Sequence, residues 1–142
     1  MKILIADDHS ILRKGLKHIL TDEYGSVEFG EAENGKDAII KAKEKKWDIF
    51  ILDINMPGIN GLEVLKQMKV EGLTIPVLVL SMHPEEQVAI EVLKLGAMGY
   101  LTKEAADTEL INAVNKVLSN KKYISLAIAV QLLDRLENPD AI

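Results

Sequence analysis

The 142-residue chain lacks cysteine, has few aromatic side chains, and contains no long apolar run. The absence of cysteine excludes disulfides and thiolate metal sites. No run approaches the roughly 18 apolar residues of a membrane span. The apolar start, residues 1–6, leads into Asp7 and Asp8 rather than into a small-residue cleavage site. We therefore expect a cytoplasmic protein without a membrane segment.

Positive charge is also scarce. The 17 lysines and arginines are outnumbered by 22 acidic residues, which gives a net charge of −5. Because non-specific nucleic-acid binding depends on clustered positive charge, this chain is a poor candidate for it. The hydrophobic fraction of 48% and charged fraction of 27% are those of an ordinary globular protein, and the length suits one compact domain.

Five segments have the pattern of β-strands. Three are continuously apolar and rich in β-branched residues, namely 3–6, 49–52 and 77–80. Strands buried on both faces have this composition, which predicts a parallel sheet covered by helices on each side. Residues 27–31 alternate as an edge strand would, and residues 98–101 are a fifth candidate.

Apolar residues at helical spacing follow each of these strands. Asn34-Gly35 is suited to open the second helix, Pro84 to lie in the first turn of the fourth, and Gly96 to end it. Five alternating strand–helix units predict an α/β, doubly wound fold with a five-stranded parallel sheet. Right-handed crossovers favour the flavodoxin-like strand order 2-1-3-4-5.

The last part of the chain differs from these units. Residues 123–137 carry another apolar pattern of helical spacing, which stops at Asn138-Pro139. We therefore predict one domain over residues 1–120 and a linker segment with one additional helix over residues 121–142.

Polar side chains follow four of the five predicted strands. The first strand runs into Asp7 and Asp8, the third into Asp53, the fourth into Ser81, and the fifth into Lys103. In open α/β sheets, ligands bind outside the carboxyl ends of the strands, where the winding direction reverses. In this strand order that point lies between strands 1 and 3, so these side chains should form one site.

The grouped side chains suit phosphoryl transfer. Three carboxylates in one pocket repel one another unless a cation lies among them, and all-oxygen ligation with few protein ligands suits Mg²⁺. A carboxylate can act as a nucleophile and form an aspartyl phosphate. Phosphoryl transfer then requires mainly positioning and charge neutralisation. Lys103 can supply a positive charge and Ser81 a hydrogen bond to the phosphoryl oxygens.

Taken singly, each residue also has an ordinary structural interpretation. Asp7-Asp8 can be an acidic loop with Asp8 or Ser10 as helix cap, Asp53 a turn residue, and Lys103 a solvated side chain. The joint arrangement at separate strand ends is what indicates a site. The histidines have no metal-ligand spacing and are predicted to be loop or surface residues: His9, His18 and His83.

Together these residues resemble the receiver domains of two-component signalling over residues 1–120. Asp7-Asp8 resembles the acidic metal-binding pair of that family, and residues 51–58 resemble the phosphoacceptor segment around Asp53. Ser81 and Lys103 match the family's hydroxyl and lysine positions. Tyr100 matches the aromatic position that swings inward on activation.

A narrower resemblance is to the NarL/FixJ-type subfamily. It rests on Asp8-His9, Arg13, Gly15-Leu16 and residues 96–101. Members usually carry a C-terminal LuxR-type helix-turn-helix. Glu104 stands where many receivers outside the subfamily have proline. Met82 stands where a small residue is more usual, which implies an altered phosphate lifetime.

The resemblance implies a mechanism. A histidine kinase would phosphorylate Asp53, with Mg²⁺ held by Asp8, Asp53 and the backbone carbonyl of Asn55, and with Asp7 acting partly through water. Lys103 and Ser81 would complete the phosphoryl cage. The protein would be no enzyme beyond its own phosphorylation and dephosphorylation.

The implied output is a conformational switch. Tyr100 would follow Ser81, and the shift would promote homodimer formation and control transcription. DNA would be bound only through a C-terminal domain that this sequence does not contain, since a helix-turn-helix module needs roughly 60 further residues. The alternative is a stand-alone receiver that acts through protein contacts.

Two other function classes stay open on the residues alone. Asp53-Ile54-Asn55 faintly resembles the Asp-x-Asp of haloacid-dehalogenase-like phosphohydrolases, which place the nucleophile on the first strand and a second aspartate two residues later. A flavodoxin-like mononucleotide binder would need a loop of small hydroxyl and glycine residues after strand 1. Residues 7–10, Asp-Asp-His-Ser, would instead repel a phosphate unless a metal bridged the charges.

Overall fold

The computed structural model describes residues 1–82 and 86–137. It contains a parallel sheet flanked by helices, as the sequence predicts. The elements in chain order are β1 (Lys2–Ala6), α1 (Ser10–Tyr24), β2 (Glu28–Ala32), α2 (Gly35–Glu44), β3 (Ile49–Asp53), α3 (Gly61–Val70), β4 (Val77–Ser81), α4 (Glu86–Lys94), β5 (Gly99–Thr102), α5 (Ala106–Leu118), β6 (Tyr123–Ile124) and α6 (Leu126–Glu137).

The sheet order is β2-β1-β3-β4-β5-β6, and all neighbouring strands are parallel. The predicted order of the first five strands is confirmed, but the predicted number of strands is wrong. Tyr123 and Ile124 add a sixth strand by pairing with Gly99 and Tyr100 of β5. Tyr123 is buried and donates its N–H to the carbonyl of Met98. Part of the expected linker segment therefore belongs to the sheet.

Alternating side chains along the strands contribute to two apolar layers, one on each face of the sheet. Leu4 packs on one face of the sheet, while Ile3 and Ile5 pack on the other, because successive strand residues point in opposite directions. The first layer includes residues of α2, α3, α4 and α6, and the second includes residues of α1 and α5. This distribution is the doubly wound architecture.

The helix ends have local causes that are partly visible in the sequence. The Asn34 side chain caps α2 by accepting a hydrogen bond from the N–H of Asp37, and the residue after it opens the helix as predicted. Gly96 follows α4 with a φ of 100°, which favours glycine. Helix α1 has His9 as its N-cap residue rather than Asp8 or Ser10.

Helix α6 packs against α4 and buries Ile128 in the first apolar layer. Leu132 is partly buried against the same layer, whereas four other apolar residues of the helix are exposed: Leu126, Val130, Leu133 and Leu136. None of the helices in the described ranges is both long and apolar enough to cross a membrane. The positions predicted for Pro84, His83 and Asn138-Pro139 lie outside those ranges.

Candidate functional site

The carboxyl edge of the sheet gathers the side chains that the sequence places at strand ends. Asp53 and Ser81 are the last residues of β3 and β4. Asp7 follows β1 directly, and Lys103 follows β5. Because all these strands are parallel, their carboxyl ends meet at one edge. Asp7 is 1% exposed, Asp53 0% and Ser81 4%, so the site is set into the protein rather than on its surface.

Lys103 joins two of the carboxylates. Its Nζ lies 3.1 Å from Asp7 Oδ2 and 3.0 Å from Asp53 Oδ2, and its side chain is only 9% exposed. These contacts are ion pairs, but their geometry is not that of hydrogen bonds. In the described part of the chain, both carboxylate oxygens and Nζ are buried without a hydrogen-bond partner. One ammonium group thus faces two buried carboxylates. When both are ionised, these three side chains together carry a net negative charge.

The acidic groups of this edge can hold a metal ion. Asp7, Asp8, Asp53 and His9 offer ligand atoms that all lie within 4.8 Å of one another. Asp7 Oδ2 and Asp53 Oδ2 retain free acceptor capacity, which a hard divalent cation with oxygen ligands would satisfy. The donor set and the unsatisfied buried oxygens therefore fit a Mg²⁺-type ion.

His9 lies closer to this cluster than the sequence indicated. It is an exposed loop residue, as predicted, but its N–H donates to Asp7 Oδ1 at 2.7 Å. Its Nδ1 lies 3.1 Å from Asp7 Oδ1 and 3.1 Å from Asp8 Oδ1. Sequence reasoning looked for histidines at metal-ligand spacing and so missed this contact, because His9 directly follows the two acids in the chain.

The surroundings of Asp53 change its acidity. Burial raises the pKa of Asp53 to about 6, and the negative charge of Asp7 acts in the same direction. The N–H of Asn55, which donates to Asp53 Oδ1 at 3.0 Å, and the ammonium of Lys103 oppose the rise. Burial by itself would lower the pKa of Lys103, but its contacts with Asp53 and Asp7 raise it above the usual value.

The loop after Asp53 is held by Gly61, whose importance sequence reasoning missed. The Gly61 N–H donates to the carbonyl of Ile54 at 3.1 Å. A Cβ at Gly61 would lie 2.7 Å from Ile54 Cα and 2.8 Å from the carbonyl oxygen of Asp53. Only glycine fits this approach without a backbone shift. The available signal was Asn60-Gly61 at the start of the third helix, where the Asn60 side chain caps Glu63 N–H.

A cleft of about 490 Å³ opens at the carboxyl ends of β3 and β4, next to the residue that follows Asp53, Ile54. Ser81 lines it together with Asn55 and the half-exposed Met82. Tyr100 is fully buried in β5, in register with Val79 of β4. The structure thus has Tyr100 in an inward position, one strand away from Ser81.

The arrangement can support a group transfer onto Asp53. A carboxylate with a pKa of about 6 is largely ionised at neutral pH and can act as a nucleophile. A cation site on one side, Lys103 on another, and Ser81 at the cleft can neutralise the charge of an incoming phosphoryl group.

Comparison with known proteins agrees with this geometry. The family model described as "Response regulator receiver domain" matches residues 3–115. Response regulator UvrY of Escherichia coli (strain K12) is 35% identical over 132 residues, which cover 93% of this chain and 61% of UvrY. The chain therefore spans about three fifths of the length of this curated relative.

Solved structures show the same likeness. A LuxR-family two-component response regulator from Aurantimonas sp. SI85-9A1 superposes with a TM-score of 0.90 at 26% identity, covering 96% of this chain and 98% of that chain. RcsB, in a structure of two RcsB dimers bound to two parallel DNAs, gives a TM-score of 0.82 at 27% identity, covering 95% and 68%. The chain belongs to the response regulator receiver domain family.

Proposed function

We propose that this chain receives a phosphoryl group on Asp53 from a histidine kinase and switches conformation as a result. The observation that carries the proposal is the position of Asp53. It is fully buried at the end of β3, faces Lys103 at 3.0 Å, and lies in a cluster of acids suited to a cation. Family membership supports the same reaction.

The metal in this proposal is Mg²⁺. Asp8, Asp53 and the backbone carbonyl of Asn55 would hold it, with Asp7 acting partly through water. When bound, Mg²⁺ would neutralise charge on the phosphoryl oxygens. The unsatisfied oxygens of Asp7 and Asp53 support this assignment, since a hard cation would satisfy them.

The residues of the chain carry out the remaining steps. An oxygen of Asp53 attacks the phosphorus, and the bond from phosphorus to the donor's nitrogen breaks, so the phosphoryl group moves to the carboxylate. Lys103, already beside Asp53, exchanges its carboxylate contacts for a phosphoryl oxygen. Ser81, at the edge of the cleft, donates a hydrogen bond to another oxygen.

The proposed output runs through β4, α4 and β5. Movement of Ser81 toward the phosphoryl group would favour one position of Tyr100 and so bias two conformations of this region. Helix α6 packs against α4, so a shift there can reach the chain beyond residue 120. We assign residues 1–120 to the receiver and residues 121–142 to a segment that couples it to an output.

The proposed partners are a cognate histidine kinase and a second copy of the chain on phosphorylation. DNA would be bound only by a domain outside this sequence, and the whole protein would regulate transcription in the cytoplasm. The relatives' names and the DNA-bound RcsB dimers support this role.

The chain would catalyse only its own phosphorylation and dephosphorylation. The competing proposal is a stand-alone receiver acting through protein contacts.

The test is incubation with acetyl phosphate and Mg²⁺, followed by mass spectrometry and size-exclusion chromatography. We expect one labile phosphoryl adduct on Asp53 and a shift in elution. A gel-shift assay at low salt should show no sequence-specific DNA complex with this chain. An adduct on another residue, or a specific DNA complex, would contradict the respective part of the proposal.

A further inference from the structure

Arg13 is a buried charged residue that lies beside the acidic cluster without belonging to it. It is on α1 and is 7% exposed. Its Nη1 donates to the backbone carbonyl of Asp7. Its Nε donates to Glu31 Oε1 at 3.0 Å, and its Nη2 to Glu33 Oε1 at 3.3 Å. One guanidinium group therefore ties helix α1 to the β1–α1 loop and to the end of β2.

Hydrogen bonds hold the peptide groups on both sides of Asp7. The N–H of Asp7 donates to the carbonyl of Ala32 at 3.0 Å, and the carbonyl of Asp7 accepts from Arg13. Because the peptide unit is planar, holding the Asp7 carbonyl also fixes where the Asp8 backbone begins. Arg13 therefore holds part of the backbone from which both carboxylates project, although none of the described contacts joins it to either carboxylate.

We propose that Arg13 is a positioning residue for the cation site, acting through the Asp7 carbonyl, with Glu31 and Glu33 holding its guanidinium in place. The inference rests on the proposed function, because it needs Mg²⁺ to bind at Asp8 and Asp53. A fork of donors suits this task better than an ammonium, since it reaches three acceptors in fixed directions.

Electrostatics alone gives the opposite expectation. A guanidinium beside a cation site repels the cation, so removing it should strengthen Mg²⁺ binding if charge were the only effect. Glu31 and Glu33 compensate part of that charge. Positioning instead predicts weaker binding when Arg13 is removed. The sign of the change in affinity therefore separates the two roles.

Lys17 provides a matched control. Its Nζ lies 3.0 Å from Glu31 Oε2, so it shares a carboxylate with Arg13. In the contacts described for this region, only Arg13 reaches the Asp7 carbonyl. Lys17→Ala removes a cation of the same network and leaves the contact with the loop intact.

The experiment is a calorimetric Mg²⁺ titration of the full 142-residue chain, well below the unfolding temperature, for the wild type, Arg13→Ala, Arg13→Lys and Lys17→Ala. Loss of a residue that orients metal ligands typically weakens binding by about ten- to a hundredfold. We expect about tenfold weaker binding for Arg13→Ala and an intermediate loss for Arg13→Lys. Lys17→Ala should stay within about twofold of the wild type, since the Lys17–Glu31 ion pair is only partly buried and such pairs contribute little.

The readouts distinguish positioning from general stabilisation. A purely structural role would lower the unfolding temperature in EDTA but leave the dissociation constant of the folded protein unchanged. Unchanged or tighter Mg²⁺ binding by Arg13→Ala would overturn the inference. If Arg13→Ala does not fold, Arg13→Lys decides in the same way. A wild type that binds no Mg²⁺ would instead contradict the proposed function itself.

Discussion

Lys103 Nζ lies 3.0 Å from Asp53 Oδ2, inside the pocket where we propose that the phosphoryl group is received. The same nitrogen lies 3.1 Å from Asp7 Oδ2. Lys103 therefore serves as the counter-ion of both buried acids in this state. Phosphorylation would give it a more highly charged partner, which connects the chemistry at Asp53 to the segment after β5.

The first prediction concerns this lysine. Lys103→Ala should destabilise the protein in EDTA by roughly 3 kcal/mol or less, because it leaves two buried acids without their cation while Asp53 can take up a proton in compensation. Mg²⁺ binding should persist, and the Mg²⁺-induced rise in unfolding temperature should exceed that of the wild type. Differential scanning calorimetry with and without Mg²⁺ measures both effects.

Lys103→Ala should also lose the coupling between phosphorylation and output. Phosphorylated Lys103→Ala should elute from size-exclusion chromatography as the unphosphorylated protein does. A variant that retains the wild-type shift in elution would show that another group senses the phosphoryl oxygens.

The second prediction concerns the metal. Mg²⁺ at millimolar concentration should raise the unfolding temperature of the wild type, since it binds only the folded acidic cluster. Asp8→Ala should abolish the rise, because Asp8 is an exposed member of that cluster. Asp22→Ala on α1 is the control: Asp22 is exposed and outside the cluster, so the rise should persist. Calorimetric traces insensitive to Mg²⁺ in the wild type would argue against the site.

The third prediction concerns pH. The pKa of Asp53 is raised from 3.8 to about 6, so between these values the folded state binds more protons than the unfolded state. The contribution of Asp53 to the free energy of unfolding therefore falls as pH rises through this window. The loss is at most about 3 kcal/mol in the metal-free protein. Other carboxyls have lowered pKa values and act in the opposite direction, among them Glu31.

The contribution of Asp53 is therefore measured as a difference. In EDTA, Asp53→Asn should gain stability relative to the wild type from pH 4 to pH 6, and the difference between the two proteins should be constant above that range. Urea unfolding at several pH values gives the difference directly. A difference that is independent of pH would mean that burial does not raise the pKa of Asp53.

The fourth prediction concerns the loop after Asp53. Gly61→Ala should destabilise the protein by about 1–3 kcal/mol and slow phosphorylation, because the new Cβ would overlap the backbone of Asp53 and Ile54. Gly15→Ala is the control, since a Cβ at Gly15 meets nothing within 4 Å among the described residues. That change should be neutral or stabilise helix α1 by up to about 1 kcal/mol. Equal effects of the two changes would refute the packing argument.

Much of the fold follows from local patterns in the sequence. Apolar runs buried on both faces predict the central strands, and Asn34 predicts the start of α2 because its side chain bonds an N–H three residues later. The placement of Asp53 and Lys103 at one edge follows from the parallel order of the strands. Strand β6 was not predictable in this way, because two residues are too few to show a period.

The features that sequence reasoning missed depend on contacts that form only when the chain is folded. In the sequence, Arg13 contributes only to the resemblance to a subfamily. In the folded protein it contacts Glu31 and the Asp7 carbonyl. In the sequence, Gly61 is an ordinary residue at the start of a helix. In the folded protein, the backbone of Asp53 lies so close to it that no Cβ fits. The Asn60-Gly61 pair marks a helix start but not the close approach to Asp53, and no spacing marks the contacts of Arg13, so coordinates are needed to recognise both relationships.

The most direct test of the central claim is mass spectrometry of the wild type and Asp53→Asn after incubation with acetyl phosphate and Mg²⁺. An amide is a poor nucleophile at this position, so the variant should carry no phosphoryl adduct while remaining folded. The wild type should carry one adduct, sensitive to hydroxylamine and located at Asp53. Labelling of Asp53→Asn to the wild-type level would contradict the account.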